Sequence, residues 1–278
     1  MHRMLTVAEI EDSLSMLPPF PRIVLDLLAT VDDEAAGQRA LATFFKRDPI
    51  SASLLQASTP DASEPDAEQR WRRQREMVLI NSLVDFAGQL DSETVFLEHN
   101  LTVALLAQEL GRHCGLHPEF ALVAGLLHDI GRSWMACYHP RTHLRANQLF
   151  MQSGRAACEV EHELFGMDHS EVGYCAARTW GVPAALLNAI ARHHRPHGHT
   201  ADCLVATIHL ADLYSHVRNE PRGTRRCADA LFAAARTLGI DLEMDVAALL
   251  NRVDERVHQT RAHLHGLMPG IGHDVRFG

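Results

Sequence analysis

The run Ala121-Leu-Val-Ala-Gly-Leu-Leu-His128-Asp129-Ile-Gly131-Arg132 constrains this chain more than any other stretch. An apolar helical segment delivers an adjacent imidazole and carboxylate and then stops at a glycine. Both groups are good ligands for a divalent metal that activates water. Leaving them without partners at the end of a dry helix is costly. The remaining sequence should therefore supply further ligands.

Around this run the periodicity is helical nearly throughout. Residues 5–16 form one amphipathic segment, and Leu17-Pro18-Pro19-Phe20-Pro21 is a rigid break with Pro21 as the first residue of the next helix. Ile23, Val24, Leu27, Leu28 and Val31 then recur at helical spacing. Further helices are expected over 40–45, 50–57, 71–90, 95–114, 120–131, 139–154, 156–165, 170–180, 183–194, 202–217, 228–239 and 246–265. Gly115, Gly166 and Gly181 each follow such a segment, where a helix stop is expected. The acidic, proline-bearing stretch 58–69 reads as a loop, 221–226 as a turn, and the last dozen residues as a loose tail. Arg70, Arg72, Arg73 and Arg75 read as a solvated helix face. No strand pattern and no solenoid repeat survive. The expected fold is all-α.

Composition narrows the function. The net charge of −9 argues against nonspecific binding to a nucleic-acid backbone. No segment has the length of a membrane span, and no signal-peptide core follows the first residues. The six cysteines are scattered without a CxxC pair, as in a reducing compartment, so a cytoplasmic location is expected. Histidine is the outlier, with 19 among 278 residues. His2, His258, His263, His265 and His273 lie toward the termini, whereas most of the others fall in the central region.

That region offers five imidazoles and two carboxylates: His99, His128, Asp129, His169, His193, His194 and Asp212. Each has an ordinary reading when taken singly. His99 or His169 could be a satisfied or surface histidine, the pair His193-His194 could face the C-terminal dipole of its helix, and Asp212 could be a cap. Asp168 reads as the cap of the following helix and His209 as a structural neighbour of Asp212. Together, however, seven ligands are too many for one ion. With Asp129 bridging through its two oxygens they suit two ions roughly 3.5–4 Å apart. Nitrogen and carboxylate donors without thiolate leave Fe, Mn, Zn, Co and Ni open.

The ordered set His99…His128-Asp129…His169…His193-His194…Asp212 resembles the HD superfamily of metal-dependent phosphohydrolases. More narrowly, Leu17-Pro-Pro-Phe-Pro-Arg-Ile-Val, Asp48-Pro-Ile-Ser-Ala-Ser-Leu-Leu, Ala124-Gly-Leu-Leu-His-Asp-Ile-Gly-Arg, Phe165-Gly-Met-Asp-His-Ser-Glu-Val-Gly and Thr179-Trp-Gly-Val-Pro are similar to the HDOD family over about residues 17–217. The resemblance implies a multi-helix HD-like bundle with an N-terminal helical subdomain. The corresponding partition is 1–94, a metal-binding core at 95–220, and C-terminal helices with a tail at 221–278. It also implies a bacterial signalling protein, commonly regulatory, with a signalling protein as partner.

The same resemblance places His99, His128, Asp129 and Asp212 on one metal and Asp129, His169, His193 and His194 on the other. The ligand it implies is a phosphate ester or a nucleotide, hydrolysed with Asp129 orienting the nucleophile and Arg132 holding the phosphate. Arg192 and Arg195 are weaker candidates for that last role. The alternative is a non-catalytic signalling module in which the metal is structural or sensory. Two features depart from relatives: the acidic stretch after Ala57, and Arg195-Pro-His-Gly-His after the His pair where HD-GYP phosphodiesterases carry Gly-Tyr-Pro. Val95 stands where three-metal relatives place an extra glutamate, which favours two metals.

Overall fold

The computed structural model of the chain describes residues 4–14, 19–48, 67–90, 94–196, 202–218, 235–236 and 246–267. Among them every regular element is helical, as the periodicity requires. The helices are α1 (Val7–Leu14), α2 (Arg22–Leu28), α3 (Glu34–Arg47), α4 (Ala67–Leu90), α5 (Thr94–His113), α6 (Pro118–Leu127), α7 (Ile130–Tyr138), α8 (Pro140–Ser153), α9 (Ala157–Phe165), α10 (His169–Thr179), α11 (Ala184–Arg192), α12 (Cys203–Arg218) and α13 (Val246–Leu267). The helix expected at 50–57, the loop at 58–66, the turn at 221–226, most of the helix at 228–239 and the C-terminal tail lie outside the described residues.

The centre of the fold is α6. All of Ala121 to Leu127 is buried, so this helix is apolar on every side and other helices must surround it. It packs on α5, α12, α11 and α4. Each fully buried leucine in it, such as Leu122 and Leu127, contributes about 1.5–3 kcal/mol by leaving water. Gly125 makes the α5 contact possible, because a Cβ there would sit 2.4 Å from the Ala104 Cα. One apolar cluster runs from Phe20 and Val24 through α4, α5 and α6 to Val253 and Val257 of α13. Arg256 ties α13 down through Glu76, Gln108 and Glu109. A second cluster, with Ile10, Trp134, Val160, Phe165 and Val172, joins α1 to α7, α9 and α10.

Several boundaries differ from expectation for identifiable reasons. Pro21 is the cap before α2 and not its first residue. Helix α4 starts at Ala67, inside the stretch expected as loop. The single helix expected at 120–131 is two helices, α6 and α7, with His128 and Asp129 between them. Gly131 lies inside α7 and stops nothing. It is required by a close approach, since a Cβ there would meet the His169 carbonyl oxygen at 2.0 Å and the Gly173 nitrogen at 2.7 Å. Arg75 is buried and not part of a solvated face: its guanidinium donates to the Leu27 carbonyl, lies 3.7 Å from Glu119 and covers the Trp71 ring. Arg72 and Arg73 are exposed as expected.

Candidate metal centre

The seven expected ligands are brought together by five different parts of the fold. His99 projects from α5 and Asp212 from α12, while His169 is the first residue of α10. His128 and Asp129 occupy the break after α6, and His193 and His194 follow the last turn of α11. Asp168 caps α10 with a reciprocal capping box to Glu171, which fixes where His169 starts its helix. The Asp129 backbone leaves helical geometry (φ −102°, ψ 15°), and its carboxylate lies at the centre of the cluster.

Each Asp129 oxygen faces a different group. Oδ1 lies 3.1 Å from His169 Nε2 and 3.5 Å from His193 Nε2. Oδ2 lies 3.8 Å from both His99 Nε2 and His128 Nε2. His169 Nε2 is 2.8 Å from His194 Nε2 and 3.4 Å from His193 Nε2, and His99 Nε2 is 3.2 Å from His128 Nε2. Asp212 closes the outer end, with Oδ1 3.4 Å from His99 Nε2 and 3.8 Å from His128 Nε2, and Oδ2 3.8 Å from His194 Nδ1. The donor atoms of Asp129, His169, His193 and His194 fall within 4.8 Å of one another, as do those of His99, His128 and Asp129.

The remaining ring nitrogens orient the imidazoles. His128 Nδ1 donates to the Gly125 carbonyl at 2.8 Å and His193 Nδ1 to the Ile190 carbonyl at 2.9 Å. His169 Nδ1 meets Glu161 at 2.5 Å, and His99 Nδ1 meets the Ser215 hydroxyl at 3.0 Å. A carbonyl only accepts, so the proton of His128 and of His193 sits on Nδ1 and the Nε2 lone pair faces the cluster. His128 and His193 therefore direct lone pairs into the cluster, toward the buried Asp129 carboxylate. A cation satisfies that arrangement, and the separations near 3.3 Å match the edge of a tetrahedron of ligands about 2.0–2.1 Å from its centre.

The electrostatics agree. Burial pushes His128 down to about 4, and burial with the neighbouring His193 pushes His194 down to about 2, so both rings are neutral at ordinary pH. Burial alone would raise the Asp129 carboxyl, but Arg132, His128 and His169 hold it well below the usual carboxylate range. Asp212, also buried, is held low by His216 and His99. His169 behaves oppositely: burial and Arg132 act to lower it, yet Glu161 and Asp129 lift it to about 9.

Three neighbours of the cluster were not singled out in the sequence, and a fourth makes a contact beyond its expected one. Glu161 accepts from both the His169 ring and its backbone N–H, and Ser215 backs His99. His216 lies 3.2 Å from Asp212 Oδ1. His209, expected only as a helix neighbour of Asp212, donates Nδ1 to the His193 carbonyl at 2.6 Å. Only His216, one turn after Asp212, had a local spacing that could have exposed it. Arg132 is engaged within the cluster, 3.2 Å from Asp129 Oδ2 and 3.9 Å from Glu161. Arg195 stands outside it, exposed, near Asp168.

An all-helical module with imidazoles converging on one central carboxylate defines a candidate metal-binding protein of HD type. Residues 72–196 match the family model of the HDOD domain. Its fold is similar to a Shewanella amazonensis SB2B protein provisionally described as a phosphohydrolase (TM-score 0.71, 21% identity, 94% of this chain and 98% of that one). It is also similar to an HDOD domain protein of unknown function from Geobacter sulfurreducens (TM-score 0.69, 22% identity, 94% and 97%). In sequence it is 31% identical to ribonuclease Y of Thermus thermophilus over 141 residues, 49% of this chain and 20% of that protein. The chain thus spans about a fifth of the length of that relative. No helix among the described residues is long and apolar enough to cross a membrane.

Proposed function

We propose that this chain is an HDOD protein that binds two divalent transition-metal ions and hydrolyses a phosphate ester, with nucleotide phosphodiesters the first class to test. The observation that carries the reading is the bridging geometry of Asp129: one oxygen faces His169 and His193, the other faces His99 and His128. When bound, two cations in such a site supply a water of lowered pKa and positive charge toward phosphoryl oxygens. The chain's own residues do the rest. Asp129 and Asp212 stay ionised and hold the two ends together, and Arg132 fixes the Asp129 carboxylate from the third side. His99 and His194 are the partly exposed members, 18% and 28%, and mark the side from which substrate reaches the cluster. Similarity to a protein named for ribonuclease activity and to one described as a phosphohydrolase supports phosphate-ester chemistry.

A cytoplasmic location and a signalling protein as partner belong to the same proposal. One observation favours the non-catalytic alternative. Arg132, the cation expected to hold a phosphate, is instead flanked by two carboxylates. In that reading the metal links five helices and a signal passes by helix repacking. Metal content of protein purified without chelator, followed by hydrolysis of a generic phosphodiester and a nucleotide panel with Mn2+ or Fe2+, separates the two. Turnover abolished by Asp129→Ala with the fold intact supports the enzyme. Stoichiometric metal without turnover on any phosphate ester supports the signalling module.

A further inference from the structure

We infer that His216 is a ligand of the ion held at the His99–Asp212 end of the centre, an inference that rests on the two-ion reading above. Asp212 and His216 are one turn apart on α12 and so share a helix face. His216 Nε2 lies 3.2 Å from Asp212 Oδ1, closer to that oxygen than His99 Nε2 at 3.4 Å or His128 Nε2 at 3.8 Å. The donor atoms of His99, Asp212 and His216 all fall within 4.8 Å of one another, and the His99 and His216 rings lie 5.1 Å apart.

An exposed histidine beside a carboxylate is ordinarily a simple ion pair, worth little. Here the carboxylate is buried and three imidazoles converge on one of its oxygens. His128 Nε2, with its proton on the opposite ring nitrogen, brings a lone pair and not a donor to that oxygen, whereas one cation can use the lone pairs of His99 and His216 together with it. The separations of 3.2 and 3.4 Å are those of ligands around one ion. His216 is also 59% exposed while Asp212 is 5% exposed, so this triad is the part of the centre that an ion from solvent meets first. The ring then covers the outer face of that ion, and a phosphate oxygen reaching it must displace His216.

Side-chain nitrogen NMR on the full chain labelled with 15N-histidine, titrated with Zn2+, tests this directly. The resonances of the His216 ring are those missing in His216→Ala, an exposed substitution. On Zn2+ saturation the His216 Nε2 is expected to take the shift of a metal-bound nitrogen, with its proton on Nδ1. Zn2+ affinity at one end of the centre is expected to fall by about tenfold or more in the variant. A His216 Nε2 that keeps its metal-free shift while other histidine nitrogens move overturns the inference and leaves the two-ion reading standing. If no ring nitrogen moves, the two-ion reading falls, and the inference with it.

Discussion

Glu161 holds His169 from two directions, accepting its backbone N–H at 3.0 Å and its ring Nδ1 at 2.5 Å. The contact joins α9 to the first residue of α10 and aims His169 Nε2 at Asp129. Outer partners of this kind set ring orientation and basicity and are worth about 10–100-fold in metal affinity. Glu161→Gln is therefore expected to weaken the ion at the His169–His193–His194 end by that factor and to leave the His99–Asp212 end unchanged. Competition with a chelator, read ion by ion, measures it. Equal weakening of both ends would show that Glu161 acts on the whole fold and not on His169.

The same His169–Glu161 contact predicts a pH dependence. In the metal-free protein His169 is lifted to about 9, so it is cationic at pH 7, and an ion at Nε2 must displace a proton. Below that value each unit of pH removes a competing proton tenfold, so affinity at this end is expected to rise about tenfold per unit between about pH 7 and 9 and then level off. His128, at about 4, and His194, at about 2, are already neutral there and add no slope. Glu161→Gln removes the carboxylate that keeps the proton in place, and is expected to flatten the rise. Proton release on Zn2+ addition, measured in buffers of different ionisation enthalpy, checks the sign.

Gly131 and His169 are separated by too little space for any other residue at 131. A Cβ there would overlap the His169 carbonyl and the Gly173 nitrogen, both backbone atoms that cannot rotate away. Gly131→Ala is expected to cost about 3 kcal/mol or more and to separate α7 from α10, and with them Asp129 from His169. Gly88 is the control: it is exposed, lies inside α4, and a Cβ there would meet nothing within 4 Å. Gly88→Ala is expected to stabilise by about 0.5–1 kcal/mol. Urea unfolding of both variants, with Zn2+ uptake measured on the folded protein, decides. A Gly131→Ala protein of unchanged stability and metal content would contradict the packing account.

What the sequence made legible follows from how local each signal is. Five of the seven candidate ligands stand at helix ends, His99 and Asp212 lie within helices, their order is recognisable, and the structure brings all seven into one cluster. Glu161 was hidden because nothing local links position 161 on α9 to the ring it serves on α10, and alone it looks like any helix glutamate. Ser215 was equally silent, and His209 was expected only as a neighbour of Asp212, since each acts on a residue far along the chain. The break at His128-Asp129 was missed because apolar periodicity continues through Ile130. What breaks the helix is the tertiary demand that Asp129 face the cluster and α7 turn against α10. Gly131 was read as a stop because a glycine needed for close approach carries the same letter as one needed for a turn.

Arg75 is the clearest case of a residue whose neighbours mislead. It belongs to the run Arg70, Arg72, Arg73, Arg75, yet it is 3% exposed, whereas Arg72 reaches solvent and pairs with Glu68. Its guanidinium donates to the Leu27 carbonyl at the end of α2 and lies 5.9 Å from the Trp71 ring centre, so it joins α2 to α4. Glu119 at the start of α6 supplies a partial counter-charge at 3.7 Å. Removing the side chain leaves the Leu27 carbonyl with its Thr30 partners alone, Glu119 without its counter-charge and a cavity beside Trp71. Arg75→Ala is expected to cost about 2–4 kcal/mol, against about 0.5 kcal/mol or less for Arg72→Ala. Because the lost contacts lie between α2, α4 and α6, metal stoichiometry in the folded Arg75→Ala protein should be unchanged. Chemical denaturation of the two variants gives the comparison, and equal stabilities would restore the solvated reading for Arg75.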